Sequence, residues 1–154
     1  MEWDNPSPTI TRREGSRAMN ADFFDAHDRH WQDAETLFVD SRLANADHLY
    51  GLSAECGLKR LMMAFGMVID SYGKPTDKKD LVHIDGVWVR YESYRSGRSA
   101  ANYILPSSNP FGDWDVSQRY ANQSNFDTAH VTSHRYGTDS VRNLINKAKT
   151  EGLL

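Results

Sequence analysis

The sequence predicts an all-α protein, an antiparallel helical bundle with one irregular loop late in the chain, and three observations carry that prediction. Apolar residues recur at intervals of three and four along several long stretches, the period of a helix with one buried face. The stretches are separated by polar connectors rich in turn-forming residues, among them GKPTDKKD at 73–80 and PSSNPFGDWD at 106–115. The one segment with extended-structure character, around Val87, Trp88 and Val89, has no second strand to join, and a lone hairpin has little stability of its own.

Taken in order, residues 1–18 carry Pro6, Pro8, Arg12, Arg13 and Arg17 with several hydroxyl residues, the composition of a flexible N-terminal arm; a single helical domain is expected over 19–154. Helix one is predicted from about Asn20 to Asp40, because Phe24, His27, Trp31, Ala34 and Phe38 form one stripe. A break at Ser41–Ala44 precedes helix two, with Asn45 as its cap and Asp47 complementing the positive helix end. Helix two is expected to continue through LKRLMMAFGMVIDSY until Gly73 and Pro75 stop it. Gly51 and Gly57 inside it each cost about 1 kcal/mol, so they predict close helix packing. Leu81, Ile84, Trp88 and Tyr91 keep a helical interval, and Ser99–Leu105 is read as another turn or two. Beyond the 106–115 loop, 116–121 and 127–134 read as short helical pieces. Thr138 or Asp139 is then predicted to cap a last helix that buries Val141, Leu144, Ile145 and Ala148.

Composition bounds the function. A chain of 154 residues with 39% hydrophobic and 25% charged residues suits one ordinary globular domain. The net charge of −3 and a pI near 6.0 argue against a protein coated in nucleic acid or lying on an anionic membrane, while leaving room for a local basic patch. A single cysteine, Cys56, excludes an intrachain disulfide framework, fits a cytoplasmic protein, and reads as a small core residue. No apolar run approaches the roughly 18–20 residues that cross a bilayer, and no leader-like segment opens the chain.

The segment RLANADHLYGLSAECGLK, residues 42–59, concentrates chemically capable side chains. On a helix, His48, Glu55 and Lys59 at i, i+7 and i+11 fall close to one line beside Leu49, Leu52, Cys56 and Met63, with Arg42 just ahead. Such a polar stripe bordering a core is either a site or a satisfied network. Glu55 and Lys59 also have the favourable order for an i, i+4 ion pair.

The long first helix followed by ADHLYGLSAECGLKRLM, then HIDGVW and later DWDVSQRY, resembles the HEPN superfamily over roughly residues 20–150. The resemblance implies an all-α bundle, a homodimer, and service in prokaryotic toxin–antitoxin or phage-defence systems. Many members are metal-independent endoribonucleases, and others bind nucleotides, RNA or a partner protein without catalysis. Catalytic members use an Arg, four to six residues, and a His; Arg42-LANAD-His48 has that interval. Cleaving RNA without metal needs a base or acid at the ribose hydroxyl and a cation for the charged phosphorane, roles suited to His48 and Arg42, with Glu55 and Lys59 in support.

Three further groupings qualify as candidates. Arg90, Tyr94, Arg95 and Arg98 mix guanidinium groups and aromatic rings as an RNA groove does, or they are a solvated helix face. His27 with His30, and His130 with His134, have intervals that place two imidazoles on one helix face, but HDRH lacks the HExxH pattern, and neither a metal nor another cofactor is expected. Phe111 and Trp114 in the late loop are residue types suited to binding or to plugging the open end of the bundle, with Arg119 pairing Asp113 or Asp115 to hold the loop. Two functions remain: an RNA-directed HEPN-like effector, and a non-catalytic antitoxin or immunity-type protein that binds a cognate protein through an acidic and aromatic surface.

Overall fold

Helices α1 (Phe23–Val39), α2 (Leu43–Ala64), α3 (Ile84–Arg95) and α4 (Thr128–Thr150) form the frame, joined by short 3₁₀ turns. The computed structural model describes residues 19–96 and 99–154, so the N-terminal arm expected at 1–18, and Arg98, lie outside the described residues. Among those described there is no strand, only an isolated antiparallel bridge between Ile69 and Pro75. Among the described residues no helix is long and apolar enough to cross a membrane.

Helix α2 is the centre of the bundle and packs against α1, α3 and α4. Leu58, Leu61, Met62, Ile84, Val87, Tyr91, Phe111, Trp114, Val141 and Ile145 form the main core, and a second cluster joins Ala34, Ala46, Tyr50, Phe126 and Val131. The α2 glycines make this packing possible. A Cβ on Gly57 would sit 2.6 Å from both His27 Nδ1 and Val141 Cγ1, and one on Gly51 would sit 2.2 Å from the Trp114 indole. The expectation that these glycines mark close approach is met at both positions.

Three of the helices end in the same way. After α1, the Ser41 N–H donates to Phe38 O (3.0 Å) and the Arg42 N–H to Leu37 O (2.8 Å), with Ser41 left-handed at φ 58°. After α2, Gly66 at φ 110° gives the equivalent pair, Gly66 to Met63 (3.3 Å) and Met67 to Met62 (2.8 Å). Gly152 repeats it after α4. These are Schellman closures, which satisfy terminal carbonyls by turning the chain left-handed.

The closures correct several sequence boundaries. Helix two ends at Ala64 rather than near Tyr72, because Gly66, not Gly73, takes the terminating conformation. The break before it is shorter than Ser41–Ala44: Arg42 occupies the cap position without a side-chain cap bond, and Asn45 is already inside the helix. Thr138 and Asp139 do not cap a last helix, because 128–150 is one continuous helix capped by Asp127, whose side chain accepts from the His130 N–H (2.8 Å). Gly137 does not break it; a Cβ there would meet Pro110 at 2.5 Å and Phe111 at 2.7 Å, so the glycine is kept for packing. Thr138 Oγ1 donates to the carbonyls of Tyr50 (2.8 Å) and His134 (3.0 Å), tying α4 to α2. The helical reading of 84–95 holds: Ile84, Val87, Trp88 and Tyr91 are buried while Val89 points outward.

His27 locks α1 to α2. Its Nδ1–H donates to the Ser53 carbonyl (2.7 Å), and the Ser53 hydroxyl donates back to the His27 carbonyl (2.7 Å). Its Nε2 is buried without a partner. Burial, which outweighs the Ser53 hydrogen bond, lowers its pKa to about 4, with Arg142 adding to the effect. The unfolded chain therefore takes up a proton on this residue first. The stability that a neutral His27 contributes is complete above about pH 6.5 and is lost as pH falls towards 4, on the order of 3 kcal/mol in all. Urea unfolding from pH 7 to pH 4.5 should show this slope, flattened in His27→Gln.

Candidate functional site

The late loop brings two polar clusters against α2. Trp114 lies on Gly51 and donates its indole N–H to the Asp47 carbonyl (3.1 Å), so the loop is anchored through a residue that is 1% exposed. Phe111 is also fully buried and packs against Trp88 and the His134 ring. Both aromatic residues plug the bundle, the second of the two readings the sequence allowed.

On one side of Trp114 lie His48, Glu55, Lys59 and His83. The His48 ring stacks on the Trp114 indole at 5.7 Å and 11° between planes, and the His83 ring lies 6.4 Å from it. Glu55 accepts from Lys59 Nζ (3.3 Å) and pairs with His83 Nδ1 (3.0 Å). The Glu55 and Lys59 side chains are almost enclosed, while His83 is half exposed. Glu55 and Lys59 thus form a buried ion pair along α2 that reaches solvent through His83, while His48 lies on Trp114 without a bond to the pair. His83, from the start of α3, completes it; HIDGVW marks that helix start but says nothing of the contact.

His48 is half-buried, and its Nδ1 is enclosed without a hydrogen-bond partner. An enclosed unpaired N–H is rarer than an unpaired lone pair, which favours the tautomer with its proton on Nε2, at the accessible edge. Burial first, and the positive charge of Arg119 next, lower its pKa. Arg119 is exposed on the 3₁₀ turn Val116–Tyr120 and stacks over Tyr120 at 4.9 Å. Its predicted carboxylate partners are used elsewhere: Asp115 forms a capping box with Gln118, and Asp113 faces histidines.

Arg42 stands apart from His48. It is exposed at the joint between α1 and α2, lining a surface hollow with Asn45, Ala121 and Gln123. Six residue steps take the chain from Arg42 at the helix cap to His48, on an ideal helix a rise of about 9 Å and a turn of about 120° around the axis.

On the other side of Trp114 lies a cluster the sequence did not disclose. His134, fully buried, is held between two carboxylates: Nδ1 lies 2.6 Å from Asp47 Oδ1, and Nε2 2.7 Å from Asp113 Oδ1. His130, one turn earlier on α4, places Nδ1 3.4 Å from Asp113 Oδ2 and Nε2 3.9 Å from Asp47 Oδ2. Gln118 Nε2 donates to Asp47 Oδ2 (2.6 Å). Burial works against charge on His134, but hydrogen bonds and charges from Asp47 and then Asp113 prevail and raise its pKa. Burial likewise opposes ionisation of Asp113, and its hydrogen bond to His134 prevails and holds its carboxyl below the usual range. Asp47 is thus no helix-end counter-charge but a buried partner of α4. The interval of His130 and His134 was legible, whereas the two aspartates, distant in sequence, were not. His27 and His30 do not join them.

The remaining candidates are engaged within the chain. Arg90 pairs with Asp80 (2.7 Å) and Asp77 (3.4 Å) and stacks on Tyr94, whose hydroxyl donates to Asp80. Arg95 binds Glu92 (2.7 Å) and the Ala101 carbonyl (2.9 Å). Cys56 is buried, and desolvation pushes its thiol up to about 12, so it carries no thiolate chemistry at neutral pH.

No family model matches the chain, and neither a curated protein nor a solved structure matches it.

Proposed function

We propose that the chain is a HEPN-like protein of a prokaryotic toxin–antitoxin or defence system, directed at RNA and binding the phosphate backbone beside His48. The observation that carries this reading is the rim around Trp114, where the imidazoles of His48 and His83 border the indole and the charge of the exposed Arg119, stacked over Tyr120, acts on His48. Hydrogen-bond donors and a fixed cation suit phosphate oxygens, and an exposed aromatic ring offers a stacking platform for a base. The all-helical bundle and the resemblance of the α2 segment support the same reading.

The chemistry open to this rim is metal-free transesterification. Proton transfer at the ribose hydroxyl or the leaving oxygen falls to His48 through Nε2, and stabilisation of the phosphorane to a guanidinium. Within one chain Arg119 is the guanidinium whose charge acts on His48; Arg42 joins from a second copy if the protein works as a homodimer. Glu55 and Lys59 hold His83 and the α2–α3 junction rather than touch substrate.

RNA degradation in the presence of a chelator, by wild type and His48→Ala, tests the catalytic part. Cleavage by wild type that is lost in the variant supports it. Equal, negligible cleavage by both removes it and leaves RNA binding as the function.

A further inference from the structure

We infer that Asp47, His130 and His134 form a binding site for a divalent transition metal, with Asp113 and Gln118 as the groups that orient its ligands. The three offer ligand atoms within 4.8 Å of one another, from α2 and from one face of α4. Bonds of about 2.0–2.2 Å to imidazole nitrogen and carboxylate oxygen place neighbouring donors of a tetrahedral ion roughly 3.3 Å apart. The 2.6 Å from Asp47 to His134 and the 3.9 Å from Asp47 to His130 lie on either side of that value, so small side-chain adjustments suffice.

The second carboxylate makes this more than a chance meeting. Asp113 faces the outer nitrogen of both rings, Nε2 of His134 and Nδ1 of His130, with one oxygen for each. A carboxylate that takes the outer N–H leaves the lone pair of the inner nitrogen directed inward, the arrangement that fixes metal-binding histidines. Here the inner nitrogens, His134 Nδ1 and His130 Nε2, both face Asp47. Gln118 fixes Asp47 in turn by donating to Oδ2.

Electrostatics point the same way. Asp47 is fully buried, and among the described residues neither a lysine nor an arginine pairs with it. A buried carboxylate needs a cation. With both imidazoles neutral, as metal ligation requires, Asp47 and Asp113 together carry two negative charges, which one divalent ion balances. His130 is 28% exposed and Asp113 63%, so the site has an entrance from solvent on the loop side. Two imidazoles and one carboxylate with a position left open suit zinc or another first-row divalent ion rather than calcium or magnesium.

The test is titration of the tag-free, chelator-stripped full chain with Zn²⁺ by calorimetry, and with Co²⁺ by its visible ligand-field absorption. One ion per chain is expected, together with a higher unfolding temperature. Asp113→Ala should weaken binding by about 10–100-fold, as loss of an outer-shell carboxylate does, and His130→Ala by more. His30→Ala, at a half-buried position on α1 outside the cluster, should bind as wild type does. Circular dichroism of the two site variants reports that they fold; both alter partly exposed residues. Absence of stoichiometric binding to folded wild type overturns the inference, leaving His134 as a protonated bridge between two carboxylates. Affinity unchanged in both His130→Ala and Asp113→Ala overturns it equally. A Co²⁺ spectrum of wild type that disappears in His130→Ala supports it.

Discussion

Gly51→Ala is expected to lower stability by about 3–5 kcal/mol, the range seen when a large buried side chain is lost. The added Cβ would lie 2.2 Å from Trp114 Cε2 and Nε1 and 2.6 Å from Cζ2, so the rigid indole has to leave its seat or the loop has to lift away from α2. Either movement breaks the Trp114 bond to the Asp47 carbonyl and exposes a ring that is now 1% accessible. Against a typical total of about 5–15 kcal/mol, a loss of this size leaves a substantial unfolded fraction or a detached loop. Urea denaturation measures the loss. A double-mutant cycle with Trp114→Ala identifies its cause: with the indole gone, the alanine no longer meets an obstacle, so the two effects should fall well short of additive. Full additivity would mean that Trp114 does not rest on Gly51.

The second large effect concerns the ion pair beneath the rim. Lys59→Met should cost about 3 kcal/mol, because it leaves the enclosed Glu55 carboxylate with His83 as its remaining partner. His83 is half exposed, so its hydrogen bond to Glu55 softens the penalty without removing it. Glu55→Gln combined with Lys59→Met should be much closer to wild type, since a buried pair often gains little over neutral groups of similar volume. Thermal melts of the single and double variants separate these outcomes. A Lys59→Met protein as stable as wild type would show that solvent, not Lys59, balances Glu55.

The helices were legible because burial leaves a period in the sequence. The stripe of Phe24, His27, Trp31, Ala34 and Phe38 located α1 to within a few residues of its ends, and Ile84, Trp88 and Tyr91 identified α3 despite its β-branched neighbours. Ends and breaks were less legible. Gly66 and Gly73 both take positive φ, yet only Gly66 follows the last turn of α2, and Gly137 looks like a break although it lies in mid-helix to admit Pro110 and Phe111. Ser41 in a left-handed conformation gave no local sign at all.

Within the site, what could be read was what lies on one helix. His48, Glu55 and Lys59 share a line set by helical geometry, and His130 and His134 share a face for the same reason. What could not be read depends on contacts between distant segments. Asp47 with His134, Trp114 with Gly51 and His83 with Glu55 follow from the path of the loop and the docking of α3, which no local pattern encodes. Arg42 and His48 have the interval of a catalytic pair, but helix geometry turns them to different sides of α2.

The most direct test of the central claim, that the rim around His48 binds RNA, is fluorescence anisotropy with a labelled single-stranded RNA, comparing wild type with a His48→Ala, His83→Ala, Arg119→Ala triple variant at several salt concentrations. The account predicts binding by wild type that weakens as salt rises, with at least about a tenfold loss in the variant at low salt, consistent with about 1.4 kcal/mol or more from the three groups together. Equal affinity in the two proteins, or no binding by wild type even at low salt, would contradict it.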